Sequence, residues 1–536
     1  MKYKKKILMC GEFHEIKSGF GLYTREVLSR LHNSGKYEIA ELSCYNTGVK
    51  EKKVPWIVYP NAVERSHKEF TNYNSHSINQ FGQWRFDKTV LDFKPDIVFD
   101  IRDFWMLSYQ EVSPLRKYFN WVIAPTIDSL PQKENWLHTF QNADLVLGHT
   151  DWAVEYLEKL NRNIKVGPSI SDSVDTDVFS PISYGKRFHR SKNLVPADSF
   201  IIGSVMRNQQ RKLIPELLDS IQQLIQFTQN RNIFLYLHTS YPEATGWDIP
   251  SLLQDYNMMN NTLFTYYCSS CGNFFGSTYK GPSIQCVSCN KTASFPNVIN
   301  GVSEKQLADI YNLFDFYVQY AICEGLGIPQ LEAASCGVPI CSVDYSAMSE
   351  VTSKLEGYKI EYTLKREIQT EAYRAVPNNS HLVQIIYEYM KLSPEQKQIK
   401  SERTRSLIVE NYSWEKTTEK IMEIFDKMTP KNCWNIPMTY DKNVHVEGST
   451  MSNRNFIYSI IKNILKEKRL IQTYFIQEMI KDLDQKFLSS ENSVTGYDRQ
   501  RAIASLNKFL NNKILLEKIR SNEIKMEDDF IKYAHE

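Results

Sequence analysis

Along the first 430 residues, short apolar blocks alternate with longer amphipathic ones. The apolar runs 7–10, 95–100, 121–125, 143–150, 200–205, 233–239, 314–320 and 338–343 are strand-sized, and most end in a polar or glycine-containing turn. Between them lie segments with apolar residues three and four apart, such as Leu22, Val27, Leu28 and Leu31, closed by Ser34-Gly35. Strands alternating with helices predict parallel βαβ units, hence an α/β fold. The polar, basic stretch 183–199 has linker composition and divides the pattern into two sets. After residue 429 the pattern changes. Segments 456–487 and 500–519 carry apolar residues at helical spacing, interrupted by polar 489–496.

The most informative unit is 321–350. A strand over 314–320 runs out there, Glu324 and the glycines Gly325 and Gly327 follow, and a helical pattern then starts near Pro329 and carries Glu332 one turn in. Gly337-Val338-Pro339 stops it, and 338–343 reads as the next strand. A helix that begins at the carboxyl edge of a parallel strand points unpaired N–H groups and a positive dipole end into the cleft, which suits an anion such as phosphate. A carboxylate beside a phosphate would be repelled by it, so Glu324 and Glu332 are better suited to accept hydrogen bonds from sugar hydroxyls.

The run from Glu324 to Pro339, E-G-L-G-I-P-Q-L-E-A-x-x-C-G-V-P, resembles the E-x7-E signature of the family 4 retaining nucleotide-sugar glycosyltransferases. That resemblance implies the GT-B fold, two Rossmann-like domains facing a cleft, and covers roughly residues 4 to 428. It implies that Glu324 contacts donor-sugar hydroxyls, that Glu332 contacts the nucleotide ribose, and that N–H groups around Gly325, Leu326, Gly327 and Ile328 cap the diphosphate. Arg207 and Lys212 match the family's R-x4-K pair, two cations that would stabilise charge growing on the leaving diphosphate. Arg211, between them, reads as a solvated surface cation. The loop Ser18-Gly19-Phe20-Gly21 matches the family's glycine-rich loop near donor and acceptor, with Gly19 and Gly21 leaving room for a ligand.

Two departures are visible. Ile127 stands where many members carry a histidine that reaches the donor sugar, leaving Asp128 as a candidate for a sugar or acceptor contact or else an Asx-type turn. His149 could face the cleft, as could Asp103, Trp105 and Tyr109, while the end of the 233–239 strand could border the donor base. Segment 174–181 resembles the family's approach to the interdomain linker, with Ser173 replacing a glycine. Segment 411–415 resembles the opening of its closing helix, which crosses back to the first domain.

Cys268, Cys271, Cys286 and Cys289 form a C-x2-C…C-x2-C set, the spacing of a zinc ribbon. Four thiolates close the coordination shell, so a structural Zn is expected; the family resemblance implies no catalytic metal. The ribbon aromatics Tyr266, Tyr267, Phe274, Phe275 and Tyr279 would pack the small core or contact an acceptor.

The expected domains are 1–182 (acceptor side), 199–385 (donor-binding), a ribbon inserted at 262–296, closing helices at 386–428 and a helical accessory domain at 429–536. A length of 536 residues accommodates three or four domains. The net charge of +2 gives no global case for nucleic acid. No apolar run approaches the ~20 residues that cross a bilayer, and Lys4-Lys5-Lys6 precedes only a short one, so a cytoplasmic enzyme is expected. The expected donor is a UDP- or GDP-sugar. The acceptor is a glycan, a lipid-linked sugar or a metabolite, with a hydroxylated base in DNA as an alternative and a non-catalytic binding protein as a reading of another class. The C-terminal helices would serve homodimerisation or acceptor docking.

Overall fold

The computed structural model describes residues 3–434 apart from 50–52, 114, 161, 298–299 and 432–433. The expected accessory domain and its dimer contacts therefore lie outside the described residues, except for 429–431 and 434.

Seven parallel strands form the first sheet. Lys5–Glu12 is flanked by Tyr37–Cys44 and Ile97–Arg102; Ile57–Pro60 closes one edge, and Asn120–Pro125, Leu145–Gly148 and Val166–Ser169 extend the other. Ile7, Leu8, Met9 and Cys10 are consecutive and all fully buried, which requires cover on both faces of the sheet. Helix Gly19–Asn33 supplies part of that cover with Tyr23, Val27, Leu28 and Leu31. On the same side, helix Trp414–Lys427 returns from the far end of the chain. Its Trp414 meets Tyr23 at 5.2 Å between ring centroids, and Phe425 meets Phe99 at 5.5 Å. The closing helix thus crosses back to the first domain, as its opening segment implied.

The second sheet has six parallel strands in the order Thr262–Tyr267, Ile233–His238, Phe200–Val205, Phe316–Gln319, Ile340–Val343 and Tyr358–Ile360. Thr262–Tyr267 pairs in parallel with Ile233–His238 and also carries the antiparallel strands Phe274–Thr278 and Thr292–Ser294. The cysteine-bearing insertion therefore grows directly out of the sheet edge. Its aromatic residues pack inward: Tyr266 and Phe275 stack at 6.1 Å, Phe295 sits 5.0 Å from Tyr266, and Tyr267 and Phe274 lie against the core beneath.

The stretch 183–199 is not a free connector. Lys186–Lys192 is helical, and the buried Arg190 donates to Leu313 O at 2.9 and 2.7 Å and to Asp315 Oδ2 at 2.6 Å. The stretch has linker composition, yet one of its guanidinium groups is buried and spent on protein acceptors.

The two domains are pinned together beside the cleft. Glu350 of the second accepts from the N–H groups of Asp151 and Trp152, capping a helix of the first at 3.1 and 2.7 Å. Opposite, the hairpin Tyr362–Arg366 and Tyr373–Pro377 reaches across. Tyr373 N–H donates to Leu130 O at 2.7 Å, and Arg374 donates to Ser129 Oγ at 2.7 Å and Asp128 Oδ1 at 3.0 Å.

Packing in the second sheet makes a direct test available. A Cβ at Gly203, in the central strand Phe200–Val205, would overlap the Phe314 ring. Gly203→Ala is expected to cost about 1–3 kcal/mol by overpacking and to lower the thermal midpoint, with partial recovery in the Gly203→Ala/Phe314→Leu double variant. Equal midpoints for wild type and the single variant would refute this packing.

Candidate active site

The carboxyl edges of both sheets face a cavity of about 1160 Å³ between the domains. That exceeds the roughly 300–1,000 Å³ of a typical single-ligand pocket and leaves room for two substrates.

One wall is the strand-turn-helix unit that opens with Phe316–Gln319. The turn brings Glu324, Gly325, Leu326 and Gly327 to the cavity, and Ile328–Ser335 follows as a helix with Pro329 in its first turn. Gly327 has φ +93°, a left-handed conformation that favours glycine. A Cβ at Gly325 would collide with Thr126 of the first domain, so this glycine lets the two domains close against each other.

Glu324 is the electrostatic centre. Its Oε2 accepts from Arg211 Nη1 at 2.8 Å, and its Oε1 accepts from Lys212 Nζ and, at 2.9 Å, from Gln319 Nε2. Burial alone would raise this carboxyl, but Arg211 and Lys212 outweigh it and hold the group at about 2. Glu324 therefore raises the Arg211 guanidinium, whereas burial holds the Lys212 ammonium below its ordinary range, helped by its neighbour Arg211 and against the pull of Glu324.

Glu332, eight residues on, has the opposite environment. It is buried, accepts from the Tyr311 hydroxyl at 2.7 Å and, among the described residues, has no cation paired with it, so burial pushes its carboxyl up to about 7.

The R-x4-K pair is not assembled as its spacing suggested. Lys212 lines the cavity, but Arg207 does not; its guanidinium is half-exposed and donates to Glu243 at 3.1 and 3.2 Å. Arg211, which the sequence suggested was a solvated surface cation, takes the cavity position instead. The short 3-10 turn Gln210–Lys212 sets this register, putting consecutive residues, not residues five apart, on one carboxylate.

The first domain supplies the facing wall. Gly19 lines the cavity, with its Cβ position 3.1 Å from Ile328 Cδ1 of the other domain. Gly21 serves a different purpose from the expected ligand approach: a Cβ there would strike Ile16 O, so the turn itself demands glycine. Asp103, Thr126, Asp128 and His149 stand at the ends of neighbouring parallel strands, and Asp172 lies beside them. Asp128 is held by Arg374 and by the Cys323 thiol, which donates to it at 3.2 Å. His149 is buried, with Asp172 Oδ1 3.7 Å from Nδ1; burial lowers the imidazole, but Asp172, the Ala124 backbone and Asp103 together raise it above its ordinary value.

Three other expectations fail. Tyr109 is buried and bonded to Arg102 and Phe81 O; Trp105 packs on Phe81 outside the cavity. His238 is enclosed beside Thr265 Oγ1 at 3.0 Å, away from the cavity lining. Asp172, Thr126 and Arg374 carried no sequence signal, because their positions depend on how strands and domains are stacked.

In the insertion, Cys268, Cys271, Cys286 and Cys289 bring their Sγ atoms within 4.8 Å of one another, a set that could hold a metal ion. Each knuckle turns through a left-handed residue, Gly272 at φ +73° and Asn290 at φ +59°. Gln306 Nε2 donates to Gly272 O at 2.6 Å, tying one knuckle to the helix Glu304–Tyr311. That helix begins with a Ser303–Gln306 capping box and presents Ser303, Glu304 and Leu307 to the cavity.

Comparison with known proteins agrees with this geometry. Residues 296–389 match the sequence family described as Glycosyl transferases group 1. No curated protein matches the chain by sequence. Among solved structures, sucrose-phosphate synthase from Thermosynechococcus elongatus superposes with a TM-score of 0.57 at 14% identity, over 79% of this chain and 98% of that one. A glycosyltransferase from Rickettsia africae gives 0.55 at 15% identity, over 79% and 98%. HepE from Anabaena, in complex with UDP and glucose, gives 0.54 at 12% identity, over 79% and 100%. The fold is the GT-B fold, with a four-cysteine insertion at one sheet edge. Among the described residues, no helix is long and apolar enough to cross a membrane.

The environment of Glu332 sets a pH dependence. Between pH 4.5 and about 7 the folded chain keeps a proton on Glu332 that the unfolded chain has released. The resulting stability is fully present below 4.5 and is lost as pH rises through about 7, by up to about 3 kcal/mol. Urea midpoints measured across that window should fall more steeply for wild type than for Glu332→Gln; parallel curves would show that Glu332 ionises normally.

Proposed function

We propose that this protein is a retaining glycosyltransferase, transferring a sugar from a nucleoside diphosphate, UDP or GDP, to an acceptor hydroxyl. One observation carries the reading. Glu324, ionised between Arg211 and Lys212, stands at the open N-terminus of the helix Ile328–Ser335, with Glu332 one turn further in. Cations and a helix N-terminus suit the diphosphate, while the carboxylates suit hydroxyls of the sugar and the ribose. The match of 296–389 to the glycosyltransferase family and the UDP and glucose bound to HepE support this donor class.

In this mechanism the diphosphate lies against Gly325 to Ile328, and Lys212 and Arg211 turn part of their charge from Glu324 to its oxygens. Arg207 stands near Glu12 of the first domain and adds a cation from the rim. Glu324 then accepts from donor-sugar hydroxyls, which orients the anomeric carbon. The acceptor hydroxyl enters from the side of Gly19 and Asp128, its oxygen bonds to that carbon on the face the diphosphate leaves, and the C–O bond to the diphosphate breaks. The electron pair stays on the phosphate oxygen, which takes up the hydroxyl proton, so no protein base is required and the anomeric configuration is kept. Cations placed where charge develops favour the transition state over the ground state.

The four thiols fit zinc. A tetrahedral site with Zn–S of about 2.3 Å has sulfur–sulfur edges of about 3.8 Å, and the pairs Cys268–Cys289 and Cys271–Cys286 measure 3.6 and 3.7 Å. With four sulfur ligands no position would be left open, so Cys268, Cys271, Cys286 and Cys289 would use a bound ion to hold the insertion together and, through Gly272 and Gln306, to support the helix Glu304–Tyr311. The enzyme should contain one zinc per chain by elemental analysis. Cys286→Ser should lose it and melt at a lower temperature, and zinc-free wild type with unchanged melting would defeat this assignment.

Activity tests separate the cation assignments. Glu324→Ala and Lys212→Ala are each expected to lower kcat/KM at least about a hundredfold, measured as UDP or GDP released from a panel of nucleotide sugars. Arg211→Met is the discriminating variant. Its contact with Glu324 makes it cost about tenfold or more, whereas a role confined to Arg207 and Lys212 would leave it silent.

A further inference from the structure

Beyond the donor end, the cavity continues over the loop after the first strand toward residues 53–56. His14 and Glu41 form a buried pair there: Nδ1 meets Oε2 at 2.7 Å, and the backbone N–H of His14 donates to Oε1 at 3.1 Å. Trp56 Nε1 donates to the same carboxylate at 3.1 Å, and its ring stands edge-on to the imidazole with centroids 5.5 Å apart. One carboxylate of the strand Tyr37–Cys44 therefore orients both a histidine and a tryptophan at the cavity wall.

The opposite edge of the imidazole is unsatisfied. His14 is only 3% exposed, yet Nε2 has no hydrogen-bond partner, and the nearest carboxylate oxygen, Glu15 Oε1, is 3.9 Å away. In the tautomer whose Nδ1–H donates to Glu41, Nε2 carries a lone pair. A buried acceptor with no donor is uncommon in a folded protein and calls for a ligand that donates to it. Of the cations on this side, Lys17 is engaged by the carbonyls of Gly301 and Val302 and Arg25 by Glu26 and Glu304, while Lys53 lines the cavity at its exposed outer end.

We propose that His14, oriented by Glu41 and flanked by Trp56, is the acceptor subsite, and that the acceptor is a saccharide. One of its hydroxyls donates to Nε2 and its apolar ring face lies against Trp56. The proposal rests on the glycosyltransferase reading and names the substrate class on the side facing the donor.

The test uses the full chain and methyl glycosides of glucose, galactose, mannose and N-acetylglucosamine as probes, observed by saturation-transfer NMR, with UDP and GDP binding followed by calorimetry. Wild type should bind at least one glycoside. His14→Ala should bind it about tenfold or more weakly with nucleotide affinity intact. His14→Gln, whose amide oxygen can accept the same hydrogen bond, should recover part of the loss. No glycoside binding to wild type, or equal binding by His14→Ala, overturns the subsite. If His14→Ala also loses its nucleotide, His14→Gln decides: glycoside binding upholds the proposal, and its loss with nucleotide bound overturns it. Wild type that binds neither UDP nor GDP would instead defeat the donor reading beneath.

Discussion

A carboxylate enclosed by protein keeps its charge only if cations are enclosed with it, and the cleft is built on that constraint at Glu324. Arg211 and Lys212 share its two oxygens, and Gln319 from the adjoining strand completes its contacts. The cluster holds charge of both signs at the meeting point of two sheets before any substrate arrives. In the proposed transfer, preorganisation of that kind would spare the reaction the cost of gathering cations as a diphosphate departs.

Glu332 shows how local such control is. The two glutamates belong to one short strand-turn-helix unit, yet one is held at about 2 and the other at about 7. The difference comes from neighbours: two cations at Glu324, one tyrosine hydroxyl and an apolar surround at Glu332. A carboxyl that titrates near neutrality can meet a hydroxyl as donor or acceptor, the role proposed for Glu332 toward the ribose, whereas Glu324 can only accept.

The cleft is also a mechanical object. Glu350 caps a helix of the opposite domain on one flank, and Arg374 grips Asp128 and Ser129 on the other. Between them Gly325 lets the turn touch Thr126. The four-cysteine insertion belongs to the same scaffold, since it continues a sheet strand and fastens to the helix that opens onto the cavity. Its aromatic side chains serve packing, in keeping with the small core that such a ribbon must bury.

The sequence by itself determined the alternation of strands and helices, the glycine turn before Ile328, the capping box at Ser303 and the pairing of two cysteine knuckles. These depend on neighbours a few residues apart, and local patterns carry them in full. It also marked Glu324 and Glu332, but not their opposite charge states, which arise from residues such as Arg211 and Tyr311 contributed by separate elements. Only the tertiary structure decided that Arg211 and not Arg207 meets Glu324, that Arg190 is buried in an apparent linker, and that His14 and Trp56 share Glu41. Each of these turns on which side chains the two sheets bring within hydrogen-bonding distance, a relation between segments distant in the chain that residue spacing does not encode.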